Sequence, residues 1–287
     1  MDWEKAKRIF IYILLFVNIG LFVLNYQGSR KYTMTSEEER AVYKLLSDNN
    51  IGIYTGLIKK AEPMRQVAVT TPTFNNEDIR NTFFSADEEV KITVEFDSID
   101  FRSDTKSVVI KGNTIFFECP QGTGSIPDFG RKAATDAAQK FISSVSFGYG
   151  TNIELEKISD CNGGYRIEYN EVFNNEKIFS SSRTVCVTKD GIVSAEAEFY
   201  IAEGYTGERR QICSCDEALL TVMYAVEALE GGVPPGAYIE KVEIGYDFQS
   251  GNDISEVSVL KLVPCYRVYV SPVDTPFVVN AYTNSLI

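Results

Sequence analysis

The sequence predicts an α+β fold carried behind a single N-terminal transmembrane helix. Three observations predict it: an apolar run at the amino end, strand-length segments between turn signals, and amphipathic helices that precede such segments. The chain has 287 residues, 44% hydrophobic and 24% charged, with 20 Gly and 9 Pro. That profile belongs to an ordered globular protein rather than a disordered or collagenous one. Its 28 basic and 40 acidic side chains leave a formal charge of −12. Nucleic acid is therefore not an expected partner, because phosphate binding needs clustered Lys and Arg. Histidine is absent, which removes Ser-His-Asp and Cys-His nucleophiles and the commonest zinc ligand.

Residues 1–8 read as a short cytoplasmic tail and 9–26 as the transmembrane helix. From Ile9 to Leu24 only Tyr12, Asn18 and Gly20 soften the run, and Tyr26 extends it. A span needs about 17–25 residues, so this one sits at the short end. Trp3 and Tyr26 flank it like interfacial aromatics, with Lys5, Lys7 and Arg8 on the amino side. A cleaved signal peptide would want small residues at its cleavage site, and Leu24-Asn25-Tyr26-Gln27 offers none. A buried soluble helix is the other reading. Arg30 and Lys31 nearly balance the basic residues before the run, so orientation rests on the body. An eight-residue tail is no domain, and the cysteines favour an oxidising side, which places the bulk outside.

Arg8, Ile11, Leu15, Asn18, Phe22 and Asn25 recur at intervals of three and four and share one helical face. An amide in lipid finds a partner across helices, which makes this face a candidate partner-helix contact. The alternative is that Asn25 lies in the interface and Asn18 is a tolerated polar residue.

Beyond a linker at 27–35, a first extracytoplasmic α+β domain is expected over 36–125. Ser36-Glu37-Glu38-Glu39 reads as a capping box for a helix with Val42, Leu45 and Leu46 on its apolar side. Strands follow at 51–58, 66–70, 90–96 and 114–119, with a helix near 77–84. The Pro- and Gly-rich stretch 120–127 reads as a hinge. A second region, 128–287, divides into helix-plus-meander units at 128–205 and 212–287. In the first, a helix over 128–145 capped by Asp128 precedes strands at 152–158, 164–173, 177–187 and 192–200. Asn174-Asn175 and Asp190-Gly191 supply its hairpin turns. In the second, Ser214-Cys215-Asp216-Glu217 caps a helix with Leu219, Val222, Met223, Val226 and Leu229 buried, and Gly231-Gly232 stops it. Strands at 238–248, 257–270 and 277–282 complete it. Helix and first strand recur 86 residues apart, which suggests that the two units are a repeat.

The residues that carry chemistry are sparse. About the Asn174-Asn175 turn, Cys161 lies two positions off direct opposition to Cys186. A disulfide between them is a candidate in an oxidising compartment, with the diagonal offset against it. Cys213-Ser214-Cys215 lacks redox CxxC spacing, and no metal site is expected. Ser103-Asp104-Thr105-Lys106 matches an SxxK motif and Ser250-Gly251-Asn252 mimics its SxN companion. That chemistry needs Lys one helical turn beyond Ser, whereas this tetrapeptide lies between strand-like segments and no KTG follows. Gly122-Thr123-Gly124 is no nucleotide loop, since Pro127 stands where the third glycine belongs. No catalysis and no cofactor are expected.

At both ends the chain resembles a known family. Met1-Asp2-Trp3 with Lys5, Lys7 and Ile9-Phe10-Ile11 resembles the amino terminus of the YycI family. Ile244-Gly245-Tyr246, Pro264-Cys265-Tyr266-Arg267-Val268 and Phe277-Val278-Val279-Asn280-Ala281 resemble that family's carboxyl-terminal strand motifs, with Tyr266 where the family has Trp. The resemblance implies a single-pass protein of the bacterial plasma membrane with its amino end cytoplasmic. It implies a non-catalytic regulator that acts with a YycH-like protein on a WalK (YycG)-like sensor histidine kinase, affecting cell-wall homeostasis. Regulation would pass through transmembrane and extracytoplasmic contacts in a hetero-oligomer. The alternative is an extracytoplasmic module that binds a wall-derived peptide, glycan or ion.

Overall fold

The computed structural model describes residues 3, 7, 10–20, 33–149, 152–249 and 260–287. Strand accounts for 43% and helix for 24% of it. The chain is mostly β, which corrects the expected α+β arrangement behind a membrane helix. Among the described residues no helix is long and apolar enough to cross a membrane. The described apolar helix, α1 (residues 10–20), measures about 16 Å at 1.5 Å per residue, roughly half of a ~30 Å hydrocarbon core. Apolar composition points to a span; the length of described helix does not reach one.

Two helices are each followed by strands that pair in succession. Helix α4 (Arg131–Ser144) precedes an antiparallel meander of β7 (Ile153–Cys161), β8 (Gly164–Phe173), β9 (Glu176–Thr188) and β10 (Gly191–Glu198). Helix α5 (Cys215–Glu227) is also followed by strands that pair each with the next: β12 (Tyr238–Phe248), β13 (Leu260–Ser271), β14 (Phe277–Asn280) and β15 (Ser285–Leu286). Strand β12 pairs in parallel with β1 (Gly52–Ile53) at Gly52↔Tyr238 and with β9 at Gly245↔Lys177. These parallel partners come from distant sequence.

Two compact units share the chain. One takes Met1–Met64, Arg209–Glu243 and Tyr266–Leu286, the other Arg65–Glu208 and Ile244–Cys265. In the first, α2 (Ser36–Asp48) buries Val42 and Leu46, and α5 buries Leu219, Val222, Met223 and Val226. The α2 cap is Thr35 rather than Ser36: its hydroxyl accepts the Glu38 N–H at 3.2 Å and Glu38 Oε2 accepts the Thr35 N–H at 2.7 Å. Thr35-x-x-Glu38 and Ser36-x-x-Glu39 both satisfy the capping pattern, and sequence cannot rank them. At α5 the expected box forms, with Glu217 Oε2 accepting the Ser214 N–H at 2.9 Å. Tyr266, fully buried, donates its hydroxyl to the Cys213 carbonyl at 3.0 Å.

The second unit is built on an antiparallel run in the order β7-β8-β9-β10-β6-β5-β4-β3, with β3 Lys91–Val94, β4 Ser98–Arg102, β5 Ser107–Lys111 and β6 Thr114–Glu118. Its buried face carries Phe101, Val108, Ile115, Phe117, Ile167, Val185 and Val187. Helices α3 (Asn76–Phe83) and α4 cover that face through Ile79, Phe83, Ala134, Ala138 and Ile142. Phe83 stacks on Phe117 with centroids 5.4 Å apart, and Phe117 meets Phe141 at 5.2 Å. Alanines at two of the three fully buried α4 positions let the helix lie close to the sheet, and close packing rather than any single contact holds this layer.

Candidate functional site

The expected partner-helix face falls on α1. Ile11, Leu15 and Asn18 are described and solvent-exposed; Arg8, Phe22 and Asn25 lie outside the described residues. Exposure is not confined to that face. Phe10 is 74% and Phe16 78% exposed, and Tyr12, Ile13, Leu14, Val17 and Ile19 are exposed too. The Asn18 amide nitrogen donates back to the Leu14 carbonyl at 3.0 Å, one turn earlier on its own helix. One donor of the amide is thus used locally, and among the described residues its oxygen has no hydrogen bond. An apolar helix exposed on every side is an element whose burial must come from another body, because uncovered apolar surface on this scale is unfavourable in water.

A groove of about 980 Å³ opens beside the β4–β5 turn, lined among others by Asp87, Glu88, Lys91, Arg102, Asp104 and Lys106. Here the SxxK residues come together. The Ser103 N–H donates to the Lys106 carbonyl at 2.9 Å, closing a tight turn. The Ser103 hydroxyl donates to Glu88 Oε1 at 2.5 Å and the Lys106 ammonium to Glu88 Oε2 at 3.1 Å and to the Phe83 carbonyl at 3.2 Å. The Ser103 bond, followed by Lys106, holds the Glu88 carboxyl below its ordinary range against the opposing effect of burial. One carboxylate thus grips both ends of the tetrapeptide, and the lysine that SxxK chemistry would aim at serine is spent on Glu88. Ser250, Gly251 and Asn252 lie outside the described residues.

The cysteine pair is arranged by a bulge that sequence does not reveal. The Asn174-Asn175 turn forms as expected, with Phe173 opposite Glu176. Between Asn170 and Glu171 the register then shifts, from Glu171↔Ile178 to Asn170↔Ser182. Cys186 consequently pairs with Arg166, while Cys161 sits on β7 opposite Gly164. Both are free thiols. Burial first, then the neighbouring Cys186 thiol, pushes the Cys161 thiol above its ordinary range.

The same bulge turns Glu171 into the interior. Its Oε2 accepts the Ser181 hydroxyl at 2.9 Å and faces Arg183 Nη2 at 3.5 Å. Arg183 is 1% exposed, with its guanidinium carbon 4.7 Å from the centroid of the Phe199 ring. Burial raises the Glu171 carboxyl, opposed by Ser181 and Arg183. Consecutive buried positions at Tyr169, Asn170, Glu171 and Val172 break the alternation of a plain strand, and no period-two reading could have found this cluster.

Of the motifs behind the family resemblance, Ile244-Gly245-Tyr246 lies on β12. A Cβ on Gly245 would lie 2.5 Å from the Lys177 carbonyl oxygen and 2.7 Å from the Phe179 ring, so the close β12–β9 approach requires glycine there. Gly122, at φ +77, packs against the Asp190 carbonyl, where a Cβ would lie 2.0 Å away. The Gly122-Thr123-Gly124 stretch thus seats the Asp190-Gly191 turn, with Thr123 Oγ1 accepting the Ile192 N–H at 3.0 Å. Among the described residues, no group of three or more Cys, Asp or Glu is arranged to hold a metal ion.

No protein family and no curated protein matches the chain. Solved structures do. An uncharacterized protein from Eubacterium rectale is similar over 83% of this chain and 89% of its own, at 10% identity and a TM-score of 0.54. The Bacillus megaterium YpeB C-terminal domain is similar over 73% of this chain and 92% of its own, at 10% identity and a TM-score of 0.42. At that identity the first likeness is one of fold alone.

Proposed function

We propose that this chain is a non-catalytic regulatory protein that docks onto a sensor histidine kinase of the WalK type, alone or with a YycH-like partner, at the bacterial plasma membrane. The observation that carries the reading is α1, an apolar helix whose side chains from Phe10 to Ile19 are exposed on all sides. Its occupant is a helix of the kinase. That helix would cover the face of Ile11, Leu15 and Asn18, with Asn18 Oδ1 accepting a hydrogen bond in the complex. The family resemblance at both ends supports the choice of partner. Regulation would need only about 1–3 kcal/mol of differential contact between two kinase states.

Photo-crosslinking from position 18 in native cells, with mass spectrometry of the adduct, tests this. A histidine kinase or a YycH-like protein in the adduct supports the reading. An adduct profile that lacks both, from position 18 and from position 14, overturns it.

The groove beside Glu88 favours a second reading, a module that binds a small ligand of mixed charge, such as a wall-derived peptide. A saturable rise in melting temperature with such peptides, lost in Arg102→Ala, would move the assignment there.

A further inference from the structure

We propose that β3 pairs edge to edge with β3 of a second copy of this chain, antiparallel about Thr93, so that the two antiparallel runs join into one sheet across a two-fold axis. The strand is terminal: it pairs with β4, and no second partner flanks it among the described residues. Its register with β4 sets Ile92 beside Phe101 and Val94 beside Ile99, continuing rows that are buried further in at Val108, Phe117, Ile110 and Ile115. On β3 those rows run out uncovered. Ile92 is 46% and Val94 69% exposed, and Phe96 is fully exposed.

The backbone has the right parity for such a pairing. The Glu95 N–H donates to the Ser98 carbonyl at 2.9 Å, closing the β3–β4 hairpin. Alternation along the strand then directs the amides and carbonyls of Lys91, Thr93 and Glu95 towards β4, and those of Ile92 and Val94 outward. Placing Ile92 opposite Val94 of the second copy, and the reverse, brings outward groups to outward groups with four backbone hydrogen bonds. Thr93 meets its own copy at the axis.

Charge complementarity selects this occupant. In that register Lys91 faces Glu95 of the second copy, twice by symmetry, and Val90 faces Phe96. Lys91 and Glu95 are exposed, and neither has a salt-bridge partner among the described residues. An edge protected against association carries lysine or proline that repels or blocks its like. Residues 88–98 hold no proline, and Lys91 and Glu95 stand with opposite sign on either side of Thr93; Glu89 would face Asp97 of the second copy, whose charge is already met by its own Lys111 at 2.9 Å. A two-fold pairing of one patch with itself is the commonest closed assembly.

The test is sedimentation equilibrium of the full chain across micromolar to hundreds of micromolar concentrations. A concentration-dependent dimer is expected. Val94→Lys, at an exposed position, should leave the chain monomeric with its circular dichroism and melting curve unchanged. Lys91→Glu and Glu95→Lys should each weaken the dimer about tenfold, since like charges would face each other at two places. The double reversal, which restores opposite signs, should recover it. A monomer at every concentration overturns the proposal. So does a dimer that survives Val94→Lys, or one for which the double reversal is no better than either single change.

Discussion

Lys106 and Ser103 are bound to opposite oxygens of one carboxylate, the ammonium 3.1 Å from Glu88 Oε2 and the hydroxyl 2.5 Å from Glu88 Oε1. The two side chains that a motif search would pair are each satisfied by a third residue, on the segment that follows α3. Glu88→Gln keeps the shape and removes the charge. It should lower stability by about 1–2 kcal/mol, as expected for charge-assisted bonds whose partners are mostly shielded from solvent. Urea midpoints at pH 7 measure it, and a change within error would mean that the turn closes without Glu88.

Arg183 and Glu171 make the opposite kind of pair, one withdrawn from water. Arg183→Ala leaves a carboxylate in the interior without its cation and should cost about 3–5 kcal/mol. Arg183→Met combined with Glu171→Leu should recover most of that loss, because burying neither charge avoids both desolvation penalties. Denaturant unfolding of the two variants decides it. A double variant as weak as the single one would show that shape at the bulge, rather than charge, sets the cost.

Gly245→Ala should destabilise by about 1–3 kcal/mol, the usual cost of forcing added volume into packed structure. The added methyl would meet the Lys177 carbonyl at 2.5 Å, and backbone cannot give way as a side-chain tip can. Gly56→Ala is the control, since nothing lies within 4 Å of that position and its φ is not positive. Equal melting temperatures for Gly245→Ala and wild type would argue that β12 and β9 are further apart in solution.

Alkaline pH should loosen the fold through Cys215. Its thiol is 1% exposed, and burial pushes it up to about 11 from an ordinary value of 9.0. In the unfolded chain that thiol ionises near 9, whereas in the folded chain it stays protonated until about 11. The stabilisation is therefore complete below pH 9 and is lost as pH rises towards 11, by about 2–3 kcal/mol. Unfolding curves at pH 8, 9, 10 and 11 should slope more steeply for wild type than for Cys215→Ala. Parallel slopes would remove Cys215 from the account.

Much of the local structure was legible in the sequence where one residue pattern has one physical meaning. The Ser214-x-x-Glu217 box, the Asn174-Asn175 turn and the Asn76–Phe83 helix form where expected. What escaped was set by partners distant in sequence. Strands β4 and β5 hide in Ser98-Ile-Asp-Phe-Arg and Ser107-Val-Val-Ile-Lys, too short to declare themselves until they pair. The strand at Ile201–Arg210 has polar or small residues at most positions. Parallel pairing of β12 has no local signal, and neither has the bulge that moves Cys186 opposite Arg166. Of the candidate contact face, sequence showed the spacing of Ile11, Leu15 and Asn18; that the neighbouring side chains are equally uncovered is visible only in three dimensions.

The segments of the smaller unit are far apart along the chain, and this orders events during synthesis. Residues up to Met64 leave the ribosome well before Arg209–Glu243 and Tyr266–Leu286 exist. At about 5–20 residues per second, the first segment waits on the order of ten seconds for the strands and helix that complete its core. During that interval Val42, Leu46 and Ile51 are apolar side chains without their final neighbours. A chain cut short before residue 266 would never supply them. Until those strands are made, this apolar surface has to be kept from associating with other chains.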